Sequence, residues 1–213
     1  MEFAELLEIV GREPVFETGF LLAGNRNPGT IHRRLADWVR TGKLVQLRRG
    51  LYTLAPPYRQ TTPHPFLMAN QMVPGSYISL QAALAYYDLI PEHTPAVTSV
   101  TTRRPGNWLT PFGEMIYRAI RRELLFGYER VSLAPEQAAY VATPEKALLD
   151  LIYLTPGGDR RAFLESLRLQ NLEQIDPHRL VELVERMSKP KLGRATDIIL
   201  EMIVQEASSF VAF

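Results

Sequence analysis

Four prolines within eleven residues constrain this chain more than any other feature. The run Ala55-Pro-Pro-Tyr-Arg-Gln-Thr-Thr-Pro-His-Pro65 denies backbone donors to a helix or a strand ladder. Each proline also disfavours helix in the residue before it. The segment therefore predicts an extended connector over 57–66 between two modules, 1–56 and 67–213. At 213 residues the chain is long enough for both.

Charge separates the modules as well. The net charge of the whole chain is +1, yet residues 26–59 hold eight Lys/Arg (Arg26, Arg33, Arg34, Arg40, Lys43, Arg48, Arg49, Arg59) against Asp37 alone. A local run at +7 inside a nearly neutral chain is an electrostatic footprint, with nucleic acid its commonest partner; basic runs are also found as solvated helix faces. There is no cysteine, which removes disulfides, thiolate metal sites and a cysteine nucleophile together. The first ten residues, MEFAELLEIV, lack a basic region ahead of an apolar core, so no signal peptide is expected. The uncharged stretch Gln60 to Tyr87 is broken by Pro63, Pro65, Pro74 and Gly75, and it cannot span a bilayer. The expectation is a soluble protein of the cytoplasm.

In the first module Phe3, Leu6, Leu7 and Val10 recur at helical spacing up to Gly11. Phe16 to Leu22 is a second apolar segment, stopped by Gly24-Asn25. Asn27-Pro28 predicts a helix start, with Asn27 as the capping residue and Pro28 in the first turn. The helix from Pro28 to about Thr41 turns Ile31, Leu35, Trp38 and Val39 inward. Thr30, Arg33, Asp37 and Arg40 point away, with His32 and Arg34 on the flanks. Leu44 to Arg48 and Leu51 to Leu54 are strand-like and meet at Arg49-Gly50, a hairpin signal.

Helix, helix–turn–helix and basic-tipped hairpin is the order of a winged helix, a fold that serves for DNA binding and also for protein contact. On the DNA reading Thr30 and Arg33 face base edges in the major groove, with Asn27 positioning the helix. Arg34, Arg48 and Arg49 would then contact the phosphate backbone.

The second module predicts a mixed α and β arrangement with a helical C-terminal part. Ser79 caps a helix through Tyr87. Ala96–Thr102, Glu114–Ile120, Leu124–Tyr128 and Ala138–Ala142 are strand candidates, with a turn at Thr110–Gly113. Thr143-Pro144-Glu145 starts a helix, and Asp159–Leu169, Asp176–Met187 and Arg194–Glu206 follow as helices. The fold class is α+β.

An ordered series of residues in this module carries a resemblance. It comprises Tyr77-Ile-Ser-Leu-Gln-Ala-Ala-Leu-Ala-Tyr86, Leu89-Ile-Pro-Glu92, Thr98-Ser-Val-Thr-Thr-Arg-Arg104, Thr110-Pro-Phe-Gly113, Phe126-Gly-Tyr-Glu129 and Ala142-Thr-Pro-Glu-Lys-Ala-Leu-Leu-Asp-Leu151. Behind a module ending Arg48-Arg-Gly-Leu-Tyr52, this series resembles the AbiEi family of type IV toxin–antitoxin antitoxins. The resemblance implies a winged-helix domain that represses its own operon by binding inverted repeats of double-stranded DNA. It also implies a C-terminal domain that counteracts a nucleotidyltransferase-type toxin, with no stable complex required and no toxin-contacting residues defined. Inverted repeats imply two protein copies, although no obvious dimerisation helix is present.

Enzyme chemistry has little footing. A nucleotidyltransferase needs a Gly-Ser turn followed by paired carboxylates; only Asp88 follows Gly75-Ser76, and no Asp-x-Asp occurs. His32, His64, His93 and His178 are scattered without metal-site spacing. No cofactor and no metal are expected. Glu145, Lys146 and Asp150 read as capping and helix-surface charge, with an acid–base role as the alternative. The doublets Arg103-Arg104 and Arg121-Arg122 would meet at one sheet end if their strands pair, forming a second positive patch or serving solubility at loop ends. The alternative overall function is a transcription factor whose C-terminal domain senses a small ligand.

Overall fold

The computed structural model describes residues 1–23, 27–92 and 95–211. Gly24, Asn25 and Arg26, with the expected helix stop, lie outside the described residues, as does His93. The chain forms two compact units, 1–74 with 132–138 and 75–131 with 139–213.

The first unit contains α1 (Phe3–Val10), β1 (Phe16–Glu17), α2 (Thr18–Leu22), α3 (Pro28–Arg40), β2 (Leu44–Arg48), β3 (Leu51–Leu54) and α4 (Pro65–Met72). Its three strands lie in the order β1-β3-β2, all antiparallel, with Phe16 opposite Tyr52 and Leu44 opposite Leu54. One face of each helix supplies the core. Leu6, Val10, Leu21, Ile31, Leu35 and Trp38 pack with Phe16, Leu44, Tyr52 and Leu54 from the strands. Burial at ~1.5–3 kcal/mol per large apolar side chain is what holds so small a unit together. Arg49-Gly50 closes β2 on β3 with Gly50 at φ +82°, a conformation glycine adopts at little cost.

The expected connector 57–66 is part of this unit. Tyr58 sits edge-on to Phe3 at 4.9 Å. Pro65 occupies the first turn of α4, and His64 caps that helix, its Nδ1 accepting from the Phe66 N–H at 3.1 Å. The His64 N–H donates to Gln137 Oε1 at 2.7 Å, and Gln137 Nε2 donates to the Thr62 carbonyl at 3.1 Å. The unit boundary therefore falls at 74/75, not within 57–66, because a proline at a helix start is pre-organised for the helix rather than hostile to it.

The second unit is built on a six-stranded mixed sheet. Its strands are β4 (Tyr77–Ile78), β5 (Ala96–Thr101), β6 (Gly106–Thr110), β7 (Gly113–Ala119), β8 (Tyr128–Ala134) and β9 (Gln137–Ala142), in the order β6-β7-β5-β4-β9-β8. The β8–β9 tip, 132–138, belongs to the first unit. Helices α5 (Leu80–Tyr86), α6 (Pro144–Leu154), α7 (Arg161–Ser166), α8 (Pro177–Met187) and α9 (Pro190–Val211) complete it. α6 packs against α5, α8 and α9.

The α+β class expected from the sequence holds. Three local expectations do not. Ser79 stands at the start of α5, but its side chain makes no capping bond and donates instead to Asp150 at 2.9 Å. Leu124–Tyr128 is a 3-10 turn and loop, because Leu124 and Phe126 turn inward and Gly127 takes φ +74°; the strand begins at Tyr128. The last helix begins at Pro190 rather than Arg194. No helix among the described residues is long and apolar enough to cross a membrane.

Candidate nucleic-acid interface

α3 is set by its first turn. Asn27 Oδ1 accepts the Thr30 N–H at 3.2 Å, and Pro28 follows the cap. This satisfies a donor that the helix start would otherwise leave unpaired. With Ile31, Leu35 and Trp38 buried, the helix presents Thr30, His32 and Arg33 to solvent.

The six residues singled out in the sequence are not equivalent here. Asn27, Thr30, Arg33 and Arg49 are exposed, and neither Arg33 nor Arg49 has a carboxylate partner among the described residues. Arg34 is ion-paired to Glu2 at 2.9 Å across from α1. Arg48 is more committed: its side chain is 29% exposed, paired to Glu17 at 2.9 Å, and it also donates to the Gln71 carbonyl at 3.2 Å. Arg40 pairs with Asp37 at 3.2 Å on the helix surface.

The hairpin is held to α2. The Thr18 N–H donates to the Gly50 carbonyl at 2.9 Å. Between hairpin and helix lies an open groove of about 550 Å³, lined by Thr18, His32, Ala36, Val39, Gln46, Arg49, Gly50 and Tyr52. Gln46 Nε2 donates to Tyr52 Oη at 3.3 Å on its wall. The groove follows the flank of α3 that carries His32, so His32 and Gln46 join the candidate surface. Sequence reading set His32 aside as a flank residue and passed over Gln46; the hairpin's position selects that flank.

The second unit holds a different constellation. Lys146 and Asp150, one turn apart on α6, are fully buried and form an ion pair. Tyr77 Oη donates to Asp150 Oδ2 at 2.7 Å, Ser79 Oγ donates to the same oxygen at 2.9 Å, and Lys146 Nζ donates to Tyr77 Oη at 2.9 Å. Burial lowers the Lys146 ammonium and raises the Asp150 carboxyl from their ordinary values, while each charge opposes the shift of the other. Burial, with Asp150 beside it, pushes the Tyr77 phenol upward.

Glu145 is nearly buried, and its Oε1 accepts the Asp176 N–H at 3.0 Å, tying α6 to the start of α8. The helix-surface reading of these three charges is thus corrected: α6 is covered by α5, α8 and α9, and its charges face inward. With both ions enclosed, the cluster can stabilise but offers no open face to a substrate. Among the described residues no group of three His, Asp or Glu is placed to hold a metal.

No family model matches the chain, and no curated protein matches it. In fold the chain is similar to the RV2827C protein from Mycobacterium tuberculosis, with a TM-score of 0.56 and 15% identity over 94% of this chain and 76% of that one. At that identity the likeness speaks for the fold alone.

Proposed function

We propose that the first unit is a winged helix that binds double-stranded DNA, and that the chain is a transcriptional autorepressor and antitoxin of a type IV toxin–antitoxin system. The observation that carries the DNA reading is the groove between α3 and the β2–β3 hairpin. Arg49 lines it, and Arg33 stands one residue along α3 from the groove-lining His32. Both guanidiniums are exposed and lack carboxylate partners among the described residues. Exposed arginines without carboxylate partners, Arg49 in the groove and Arg33 on the helix beside it, are the groups that donate to phosphates and base edges.

In this reading Thr30 and Arg33 face bases, Asn27 positions the helix, and Arg49 meets the backbone. Arg34 and Arg48 reach phosphate by exchanging Glu2 and Glu17 for it. The antitoxin half rests on the resemblance of the ordered series between Tyr77 and Leu151, and its target is a nucleotidyltransferase-type toxin. The test is binding of the full chain to the DNA upstream of its own gene, against a scrambled duplex of equal length. Tight, sequence-dependent binding is expected; equal affinity for both duplexes would remove the repressor reading. Growth rescue on co-expression with an adjacent nucleotidyltransferase gene tests the antitoxin half.

A second reading, a transcription factor sensing a small ligand, is favoured by one feature of the second unit. A groove of about 790 Å³ lies there among Leu80, Thr98, Ile116, Arg118, Leu151 and Leu154. An apolar groove with few polar groups is the usual form of a small-molecule site.

A further inference from the structure

The parallel pairing of β5 with β7 has an electrostatic result. Thr101 lies opposite Ala119 in register, and the Ile120 N–H donates to the Thr101 carbonyl at 2.8 Å. Both strands run the same way, so both end at the same edge of the sheet. Arg103-Arg104 follows the first end and Arg121-Arg122 the second, with neighbouring strands ~4.8 Å apart. Both doublets are exposed, on backbone that is anchored at each side. The Arg103 N–H is held by Thr101 Oγ1 at 3.2 Å. Arg121 and Arg122 are bracketed by the buried Ile120 and Leu124.

All four arginines are exposed, as is Arg118 just before them on β7. Nearby acid is scarce: Glu123 approaches Arg121 at 3.9 Å, and Arg103, Arg104, Arg118 and Arg122 have no carboxylate partner among the described residues. Elsewhere on this unit Arg130, Arg160 and Arg186 also lack a carboxylate partner among the described residues, but four other arginines are paired. Arg161, Arg168, Arg179 and Arg194 are each paired with Glu201, Glu92, Glu129 and Asp159. Like charges gathered at one sheet end raise the local positive potential, which an anionic partner neutralises.

We infer that this sheet end is a second nucleic-acid contact, in which Arg103, Arg104, Arg121 and Arg122 bind backbone phosphates without reading sequence. Thr102 and Glu123, which flank the doublets, are exposed and polar, Ile120 is buried, and none of the four arginines lines the apolar groove that Pro105, Arg118 and Ala119 border. A protein interface needs an apolar centre to desolvate, whereas a phosphate backbone needs only charge and guanidinium donors. The inference rests on the DNA-binding reading above and adds to it a contact that supplies affinity but no specificity.

The test is fluorescence anisotropy of the full chain on a labelled random 20-base-pair duplex and on the upstream operator duplex, over a sodium chloride series. Each neutralised phosphate contributes ~0.9 to the slope of log affinity against log salt. Reversal of all four residues (R103E, R104E, R121E, R122E) is expected to flatten that slope by ~2–4 on both duplexes, leaving their affinity ratio unchanged. The neutral set R103Q, R104Q, R121Q, R122Q is expected to flatten it too, with an unchanged thermal midpoint reporting an intact fold. An unchanged slope in both sets overturns the inference even if the wild type recognises its operator. Loss of toxin rescue with the slope intact would also overturn it, assigning the patch to an acidic protein. Failure of the wild type to prefer the operator is a separate result and bears on the repressor reading.

Discussion

Gly127 lies directly against Lys146: a Cβ on this glycine would stand 3.0 Å from Lys146 Cγ and 3.1 Å from its Cδ, at φ +74°. The alkyl stem of the buried lysine is thus gripped at the loop just before β8, while its ammonium is held by Asp150 and Tyr77. Gly127→Ala must both strain the backbone and displace that stem. A loss of about 2–4 kcal/mol is expected in urea unfolding, the sum of left-handed strain and overpacking. Gly193→Ala on α9, where a Cβ meets nothing within 4 Å, should instead gain about 0.5–1 kcal/mol. Equal midpoints for the two variants would contradict the packing described.

The Lys146–Asp150 pair separates the cost of breaking an ion pair from the value of having one. Asp150→Ala leaves an enclosed ammonium without its partner and should cost about 3–5 kcal/mol. Lys146→Met with Asp150→Leu removes both charges and should recover most of that loss. The Tyr77 and Ser79 hydroxyls, which donate to Asp150, would lose their acceptor in both variants. Denaturation midpoints of the two variants and the wild type decide the matter.

His64 gives the first unit a pH dependence with a definite sign. Burial lowers its imidazole below the ordinary 6.5, and its Nδ1 must stay unprotonated to accept the Phe66 N–H. Below pH 6.5 the unfolded chain takes up a proton that the folded chain resists. This contribution to stability is therefore fully present above 6.5 and declines as pH falls toward the folded value. Thermal midpoints measured from pH 8 down to 5.5 should fall in the wild type and fall less in His64→Asn, which retains a capping acceptor without titrating in that range.

At the candidate interface Arg33 and Arg49 should fail differently. Arg33→Ala is expected to cost about 1–3 kcal/mol on the operator and little on random duplex, narrowing the discrimination between them. Arg49→Ala should weaken both duplexes alike and reduce the salt slope by about 1. The same pattern of loss for both variants would mean that the helix and the hairpin do not divide the work in this way.

The sequence was legible where structure depends on neighbours in the chain. Asn27-Pro28, Thr143-Pro144 and Asp176-Pro177 each start the helix that their caps and prolines announce, and Arg49-Gly50 closes its hairpin. It was opaque where distant partners decide. Nothing local shows that Arg48 would be spent on Glu17 and Gln71, or that His64 would cap a helix. The inward charges of α6 did leave a trace: Ala147, Leu148, Leu149, Leu151 and Ile152 surround Lys146 and Asp150 with apolar side chains, and a helix apolar nearly all round is buried. The strand at Tyr128 was missed because its alternation is weak and largely exposed.

Gln137 supplies both an acceptor and a donor to the backbone at His64 and Thr62, from more than seventy positions downstream. A fragment cut after residue 74 would therefore leave the His64 N–H and the Thr62 carbonyl without these partners, at about 0.5–1.5 kcal/mol for each hydrogen bond lost. The first unit is consequently not severable by a single cut. Dissection by truncation would assign to residues 1–74 a defect caused by a missing glutamine.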